Sequence, residues 1–207
     1  MCWYHWIAIT SLIFSVALFS YQFARLVIPG RPDDLSVSSG SVTKGVVYSF
    51  TKAMAPGAKE SAYLHMPTYA GGIIYHLGTF FSLVLFFVLI TGFPSLNNPL
   101  KSIFSVLLFI SFIAGFAILI KRIINKDLKS LSGLDDYISN VVTSLVQLFT
   151  AIYLLVPGAE ILYYLSVALF FIWLPLGKTK HLLFFFFARY HLGFFYGWRG
   201  TWPQKSE

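Results

Sequence analysis

A single histidine, His76, interrupts the long apolar stretch GGIIYHLGTFFSLVLFFVLITG, residues 71–92. Ionisable side chains are rare inside a bilayer, so function is the first hypothesis for such a residue. Gly72 lies one helical turn earlier on the same face, where a glycine lets a flat, bulky group approach the backbone. A haem needs that clearance together with an imidazole on its iron. The structural alternative is a histidine that hydrogen-bonds a neighbouring helix, with the glycine making room for that helix.

The composition identifies the elements that must hold His76. The 207-residue chain has a mean hydropathy of +0.73 and 11% charged residues, whereas soluble proteins carry roughly 25%. Apolar runs of about 20 residues, long enough to span a bilayer, recur along it. We therefore predict one all-α integral membrane domain over residues 1–207, a bundle of five transmembrane helices. The predicted spans are residues 6–28, 67–92, 100–120, 137–156 and 159–176, followed by an interfacial tail over residues 181–207.

The basic residues predict the orientation of this bundle. If the N-terminus faces outward, every Lys and Arg except Lys101 lies on the inner side, as the positive-inside rule requires. The net charge of +7 then needs no nucleic-acid partner. The single cysteine, Cys2, excludes a disulfide within the chain and a cysteine-held metal cluster. We predict a multi-pass protein of the cytoplasmic (inner) membrane, with the N-terminus outside and the C-terminus in the cytoplasm.

This orientation selects a second haem ligand among the five histidines. His76 lies about nine residues into the second span, roughly 13 Å along the helix and therefore in the inner half of the membrane. His5 lies at the outer end of the first span, and His65 lies at or beyond the inner surface. His181, at the inner end of the fifth span, is the predicted second axial ligand, and His191 is the reserve.

The segment LPLGKTKH, residues 174–181, together with a histidine low on the second span, resembles the cytochrome b subunit of respiratory nitrate reductase. It resembles equally that subunit's relatives in heterodisulfide-reductase-like and sulfite-reduction-associated redox complexes. The family pattern near the C-terminus is a proline, a small residue, a basic residue and a haem-ligating histidine. These positions are filled by Pro175, Gly177, Lys178 or Lys180, and His181. The resemblance implies a haem b whose iron is held by His76 and His181.

Two departures from the family pattern imply a single haem. Two-haem members carry a further histidine ten residues after the first ligand and its partner eighteen residues before the last. In this chain Phe86 and Tyr163 occupy these positions. Phenylalanine does not ligate iron, and tyrosine is an uncommon haem ligand. We therefore expect only the inner haem, between His76 and His181.

The resemblance implies electron transfer between (mena)quinone in the bilayer and a cytoplasmic iron–sulfur subunit, with further subunits possible in the complex. The chain would be an electron-transfer subunit rather than an enzyme on its own. The segment FFFFARYHLGFFYGWRGTW is too aromatic for a free tail, so we expect it to lie along the interface or against a partner. Glu160, at the outer start of the fifth span, is either a proton-transfer group or a solvated carboxylate. The location of the quinone site and the direction of electron flow stay open.

A function from a different class is a haem-free membrane anchor that holds redox partners. A small transporter or an assembly factor is less favoured, because polar residues within the predicted spans are too few for a solute path. The visible spectrum of the purified protein separates a cytochrome from an anchor or a transporter.

Overall fold

The computed structural model describes residues 1–30, 35–58, 60–92 and 96–203, and the described part of the chain is helical without a strand. The last four residues of the predicted tail, 204–207, lie outside this range. Short 3-10 turns occupy Lys52–Met54, Pro56–Ala58, Pro157–Ala159 and Lys178–Lys180. The α-helices in chain order are α1 (Trp3–Val27), α2 (Val42–Phe50), α3 (Glu60–Leu64), α4 (Met66–Thr91), α5 (Asn98–Ile124), α6 (Lys126–Ser130), α7 (Leu134–Leu155), α8 (Glu160–Trp173) and α9 (His181–Trp198).

Four helices, α1, α4, α5 and α7, are long and apolar enough to cross a bilayer. They confirm the first four predicted spans as helices, to within four residues at each end. The fifth predicted span is divided. α8 has 14 residues and rises only about 21 Å, and it reaches the length of a span only together with α9, across a break. The chain is therefore a multi-pass helical membrane protein, and its described residues contain four or five candidate spans.

The chain folds into two compact units. The first unit comprises Met1–Leu18 and Pro67–Thr179, and the second comprises Phe19–Met66 and Lys180–Glu207. The first unit holds α5, α7, α8 and nearly all of α4, whereas the second holds α2 and α9. We expect a single membrane domain over residues 1–207. The association of the two units into that one domain stays a prediction.

Small and polar side chains hold the helices of the first unit together. Ser105 of α5 donates a hydrogen bond of 2.8 Å to the Ala151 carbonyl of α7. The buried Gln147 side chain of α7 donates through Nε2 to Thr79 Oγ1 (2.8 Å) and to the Tyr75 carbonyl of α4 (3.0 Å). Interhelical hydrogen bonds of this kind associate helices in lipid, where apolar contact alone provides little driving force.

α8 runs beside α7 over its whole length. Near the C-terminus of α7, the rings of Tyr153 and Tyr163 stack with centroids 5.0 Å apart. At the other end, the backbone nitrogen of Lys178, just after α8, donates to Asp135 Oδ1 in the first turn of α7, at 3.0 Å. α8 and the turn that follows it therefore extend from one end of α7 to the other.

A seam of small residues joins α2 to α9 in the second unit. Gly193 and Gly197 form a GxxxG pair on α9, and Gly45 of α2 lies against them so closely that a Cβ atom on Gly45 would clash with the Gly193 carbonyl oxygen. One turn away, Ser49 Oγ donates to the Arg189 carbonyl at 2.7 Å, and the Arg189 guanidinium donates back to the Ser49 carbonyl. α2 therefore packs through its backbone on α9, which belongs to the predicted aromatic tail. We call Gly45, Ser49, Gly193 and Gly197 the glycine seam.

Replacing Gly193 with Leu should open the glycine seam, because the new side chain would meet the backbone of α2 rather than a movable side chain. Overpacking of this kind costs about 1–3 kcal/mol, so trypsin should cleave at Lys44 and Lys52 roughly 5- to 150-fold faster than in the wild type. Mass spectrometry of timed digests in mild detergent measures the two rates. The matched control is Gly57→Ala, where a Cβ atom meets nothing within 4 Å. Equal cleavage of G193L and wild type would contradict the seam.

Candidate functional site

His76 lies on α4 with its imidazole orientation fixed by its own helix. Nδ1 lies 2.7 Å from the carbonyl oxygen of Gly72, one turn earlier. Because a carbonyl oxygen only accepts, Nδ1 of the neutral ring carries the hydrogen, and the lone pair is on Nε2. The side chain is exposed in the protein chain. Histidines that ligate metals usually have this arrangement, with one ring nitrogen donating to a carbonyl and the other facing the metal.

The glycines around His76 have different environments. A Cβ atom placed on Gly72 would meet no atom within 4 Å, whereas one placed on Gly78 would clash with the Ser111 side chain of α5. Close packing against α5 therefore requires a glycine at position 78. No packed neighbour requires a glycine at position 72. The structure therefore leaves the Cβ position of Gly72 unoccupied. Binding of a flat group beside Gly72 and His76 stays a prediction.

The candidate partners of His76 lie in the other unit. His181 is the first residue of α9 and is exposed, whereas His191 is half-buried, with its ring centroid 4.3 Å from that of Phe187. His76 belongs to the first unit, and both His181 and His191 belong to the second. The pairing of His76 with His181, or with His191 in reserve, therefore stays a prediction.

An apolar groove of about 340 Å³ lies within the second unit. Its lining consists of Phe19 and Phe23 of α1 with Leu182, Leu183, Phe186 and Phe187 of α9. His191 follows Leu183 and Phe187 at four-residue intervals, so these three residues share one face of α9. His191 thus lies at the edge of the groove, next to Phe187. This position is a structural reason to keep His191 as an alternative ligand.

The segment that carries the family resemblance is fixed by two aspartates at the start of α7. Besides the bond from its backbone to Asp135, Lys178 reaches Asp136 Oδ2 through Nζ at 2.6 Å. Arg122, at the end of α5, contacts Asp136 Oδ1 at 2.9 Å. We call Asp135, Asp136, Arg122 and Lys178 the aspartate clamp. It joins the ends of α5 and α8 to the first turn of α7, where carboxylates are also favoured by the helix dipole.

Sequence reasoning missed the aspartate clamp. It assigned Lys178 to the family motif and to the positive-inside bias. Neither assignment identifies Asp135 or Asp136 as the contact of the lysine. The available signal was LDD at the start of an apolar helix, since paired carboxylates at a membrane boundary need counter-charges. The sequence did not indicate which cations provide them, because Asp136 and Lys178 are 42 positions apart.

Across the described ranges, no cluster of three or more His, Cys, Asp or Glu side chains is arranged to hold a metal ion. A haem iron makes a smaller demand, because the porphyrin supplies four nitrogens and the protein supplies only axial ligands. His76 fits that demand by its tautomer and by the space beside Gly72. The residues present are therefore compatible with a haem.

No protein-family model matches the chain, and neither the curated proteins nor the solved structures contain a match to it. The resemblance to the nitrate-reductase cytochromes accordingly rests on the residues quoted for it.

Replacing Asp136 with Asn should destabilise the first unit, because Arg122 and Lys178 lose the carboxylate that both contact. The expected loss of unfolding free energy is about 1–3 kcal/mol, since the Asp136 side chain is largely shielded from solvent. Thermal unfolding followed by circular dichroism in detergent measures it. Asp127→Asn, at an exposed carboxylate on α6, is the matched control and should change stability by less than about 0.5 kcal/mol. Equal losses in the two variants would contradict the clamp.

Proposed function

We propose that the chain is the haem b-containing membrane subunit of a respiratory redox complex, transferring electrons between (mena)quinone and a cytoplasmic iron–sulfur subunit. The observation that carries this proposal is the state of His76. Its Nδ1 is held by the Gly72 carbonyl, its Nε2 carries the lone pair, and a Cβ atom on Gly72, one turn away on the same candidate membrane-spanning helix, would meet no atom within 4 Å. A histidine that ligates haem iron typically has one ring nitrogen in such a hydrogen bond and a lone pair on the other nitrogen.

The residues of the chain have separate tasks in this proposal. His76 and His181 would each provide one axial nitrogen, with His191 as the reserve for His181. Gly72 fixes the His76 ring through its carbonyl and leaves space beside it. The bound haem supplies reversible one-electron chemistry within the bilayer. The two imidazoles and the apolar surroundings tune its reduction potential.

The packing of the interior supports one haem rather than two. Phe86 and Tyr163 occupy the positions where two-haem relatives carry their other ligands, and they are 1% and 0% exposed. The Phe86 ring packs edge-on against Phe171, with centroids 5.1 Å apart, and Tyr163 stacks on Tyr153. Packed aromatic side chains thus fill the region where a second ligand pair would be.

The same packing supports five spans with the termini on opposite sides. The start of α1 and the start of α8 lie together, because His5 contacts Glu160 at 3.2 Å. The opposite end of the first unit carries the aspartate clamp, where α8 and its following turn reach the beginning of α7. The chain therefore enters the first unit at the end that contains His5, and it leaves this unit at the end that contains Lys178. The basic residues concentrate at this second end, which we assign to the cytoplasm.

The second unit presents a surface suited to a partner. Phe186, Tyr190 and Phe195 of α9 are at least one-third exposed, although the helix is fixed to α2 by the glycine seam. Exposed aromatic side chains on a rigid helix are typical of contacts with lipid headgroups or with other subunits. We assign the Phe184–Trp202 segment to contact with the iron–sulfur subunit.

The proposed topology predicts the results of reporter fusions. Reporters placed after Lys129 and after Glu207 should read cytoplasmic, and a reporter between Asn97 and Asn98 should read external. This pattern requires one span between Asn98 and Lys129 and an even number of spans between Lys129 and Glu207. An external reading after Glu207, with the other two readings unchanged, would leave an odd number of spans after Lys129 and would contradict the proposal.

The ligand assignment predicts one haem b per chain, measured as the pyridine haemochrome of purified protein. His76→Ala should lose the haem while keeping its helices, because only the axial nitrogen is removed. His65→Ala, eleven positions earlier, is the matched control and should keep the haem. A wild-type spectrum in H76A, or two haems per chain, would contradict the assignment. Loss of the haem in H191A but not in H181A would make His191 the second ligand, and a wild-type protein without haem would favour the anchor function.

A further inference from the structure

A pair of titratable residues outside the haem site joins the start of α1 to the start of α8. Glu160 Oε1 lies 3.2 Å from Nε2 of His5, and Tyr4 donates a hydrogen bond to Glu160 Oε2 at 2.9 Å. Nδ1 of His5 accepts from the Cys2 backbone nitrogen at 3.1 Å. Because Nδ1 accepts, the neutral ring carries its hydrogen on Nε2 and donates it to Glu160. The carboxylate therefore receives two hydrogen bonds, and His5 is fixed in one tautomer.

The surroundings of this pair are aromatic rather than cationic. The His5 ring lies between Tyr4 and Tyr164, with centroids at 4.6 and 4.3 Å. The other titratable groups that face Glu160 or Tyr4 are Tyr153 of α7 and Cys2. In the part of the chain that the structure describes, no Lys or Arg forms an ion pair with Glu160. The hydrogen-bond partners of the Glu160 carboxylate are therefore His5 and Tyr4, neither of which is a fixed cation.

The exposure of the pair allows exchange with water. The side chain of His5 is 13% exposed and that of Glu160 is 33% exposed. Glu160 is consequently not the fully solvated carboxylate that one sequence interpretation allowed. It is partly shielded, hydrogen-bonded and still in reach of the aqueous phase, as a proton-transfer group has to be.

Buried polar atoms also occur in the interior of the first unit. Tyr164 adjoins Tyr163, with ring centroids 4.8 Å apart, and the Tyr163 side chain is 0% exposed. Its hydroxyl has no hydrogen-bond partner among the described residues, and the same holds for Gln147 Oε1 and Ser82 Oγ, which are also buried. An unsatisfied buried polar group costs about 1–3 kcal/mol. Internal water molecules are the usual partners of such groups.

We propose that His5 and Glu160 form the proton-exchange site through which protons from quinol oxidation leave the first unit. The proposal rests on the proposed quinone-linked function. Oxidation of a quinol to a quinone breaks two O–H bonds and yields two electrons and two protons. A bound haem would supply the one-electron acceptor for the two electrons. Each proton forms an O–H bond with the Glu160 carboxylate, and breaking that bond releases it to the aqueous phase.

A purely structural role would make the same contacts, since the pair also links α1 to α8. The variant Glu160→Gln separates the two roles. Glutamine keeps an oxygen that accepts from His5 and a polar group beside Tyr4, so the link between α1 and α8 is retained, but it has no titratable carboxyl group. Tyr4→Phe is the matched control, because it removes the hydrogen bond to Glu160 Oε2 and leaves the carboxyl group in place.

Two measurements test the site. Infrared spectroscopy of the protein in liposomes, with or without haem, should show a carboxyl C=O band that appears as the pH falls and is absent in E160Q. Stopped-flow reduction of the haem by menadiol should be slower in E160Q than in wild type by at least about tenfold, the lower range for loss of a proton-transfer group. The carboxyl band should remain in Y4F, because this variant keeps the carboxyl group of Glu160. If E160Q does not insert, His5→Asn, which removes the imidazole proton carrier, serves in its place.

The outcomes separate this inference from the proposed function. A protein without haem would overturn the proposed function and, with it, the role in quinol oxidation; the infrared titration would still decide whether Glu160 exchanges protons. A haem-containing E160Q protein with unchanged reduction kinetics across pH would overturn the inference alone. A carboxyl band that persists unchanged in E160Q would also overturn it, because the titrating group would then not be Glu160.

Discussion

Helices in a bilayer satisfy their backbone hydrogen bonds internally, and burying apolar side chains against one another gains little, because lipid is equally apolar. Association must therefore come from close packing and from polar contacts between helices. This constraint gives the hydrogen bonds of Ser105 and Gln147 their importance in connecting α7 to its neighbours, beside the apolar contacts of Leu154 and the Tyr153–Tyr163 stack. It also explains the glycine seam, where Gly45 and Gly193 bring two backbones into contact.

The same constraint makes the ends of the helices important. Charged side chains are tolerated at the membrane boundary, and there they join elements that are distant in sequence. The aspartate clamp holds α5, α7 and the turn after α8 at one end, and the His5–Glu160 pair holds α1 and α8 at the other. Between these ends, Gly72 differs from Gly78 and Gly115, because neighbouring side chains occupy the Cβ positions of those two glycines and no atom lies within 4 Å of that of Gly72. That contrast is the structural basis for proposing a bound group at His76.

The sequence was sufficient to predict the first four spans, because runs of apolar residues in a chain with so few charges have no other stable location. It was less reliable for the fifth, where Pro175 and Gly177 follow an apolar run that ends as a helix of 14 residues. The position of His76 relative to Gly72 followed from helical periodicity alone. The polar contacts of Gln147 and the pairing of Asp136 with Lys178 did not, since they depend on which helices become neighbours. The GFFYG motif of the glycine seam was a signal that the sequence offered and that the sequence analysis did not use. Glycines four residues apart in an apolar helix favour close packing.

The proposed electron-transfer function depends on whether His76 and a second histidine hold a haem iron between them. The reduced-minus-oxidised visible spectrum of the purified wild-type protein tests this most directly. Two imidazole ligands should give the sharp, low-spin bands of a b-type cytochrome, with an intensity equal to one haem per chain. A spectrum without haem bands, from protein isolated from haem-replete membranes and with its helical content intact, would contradict the account.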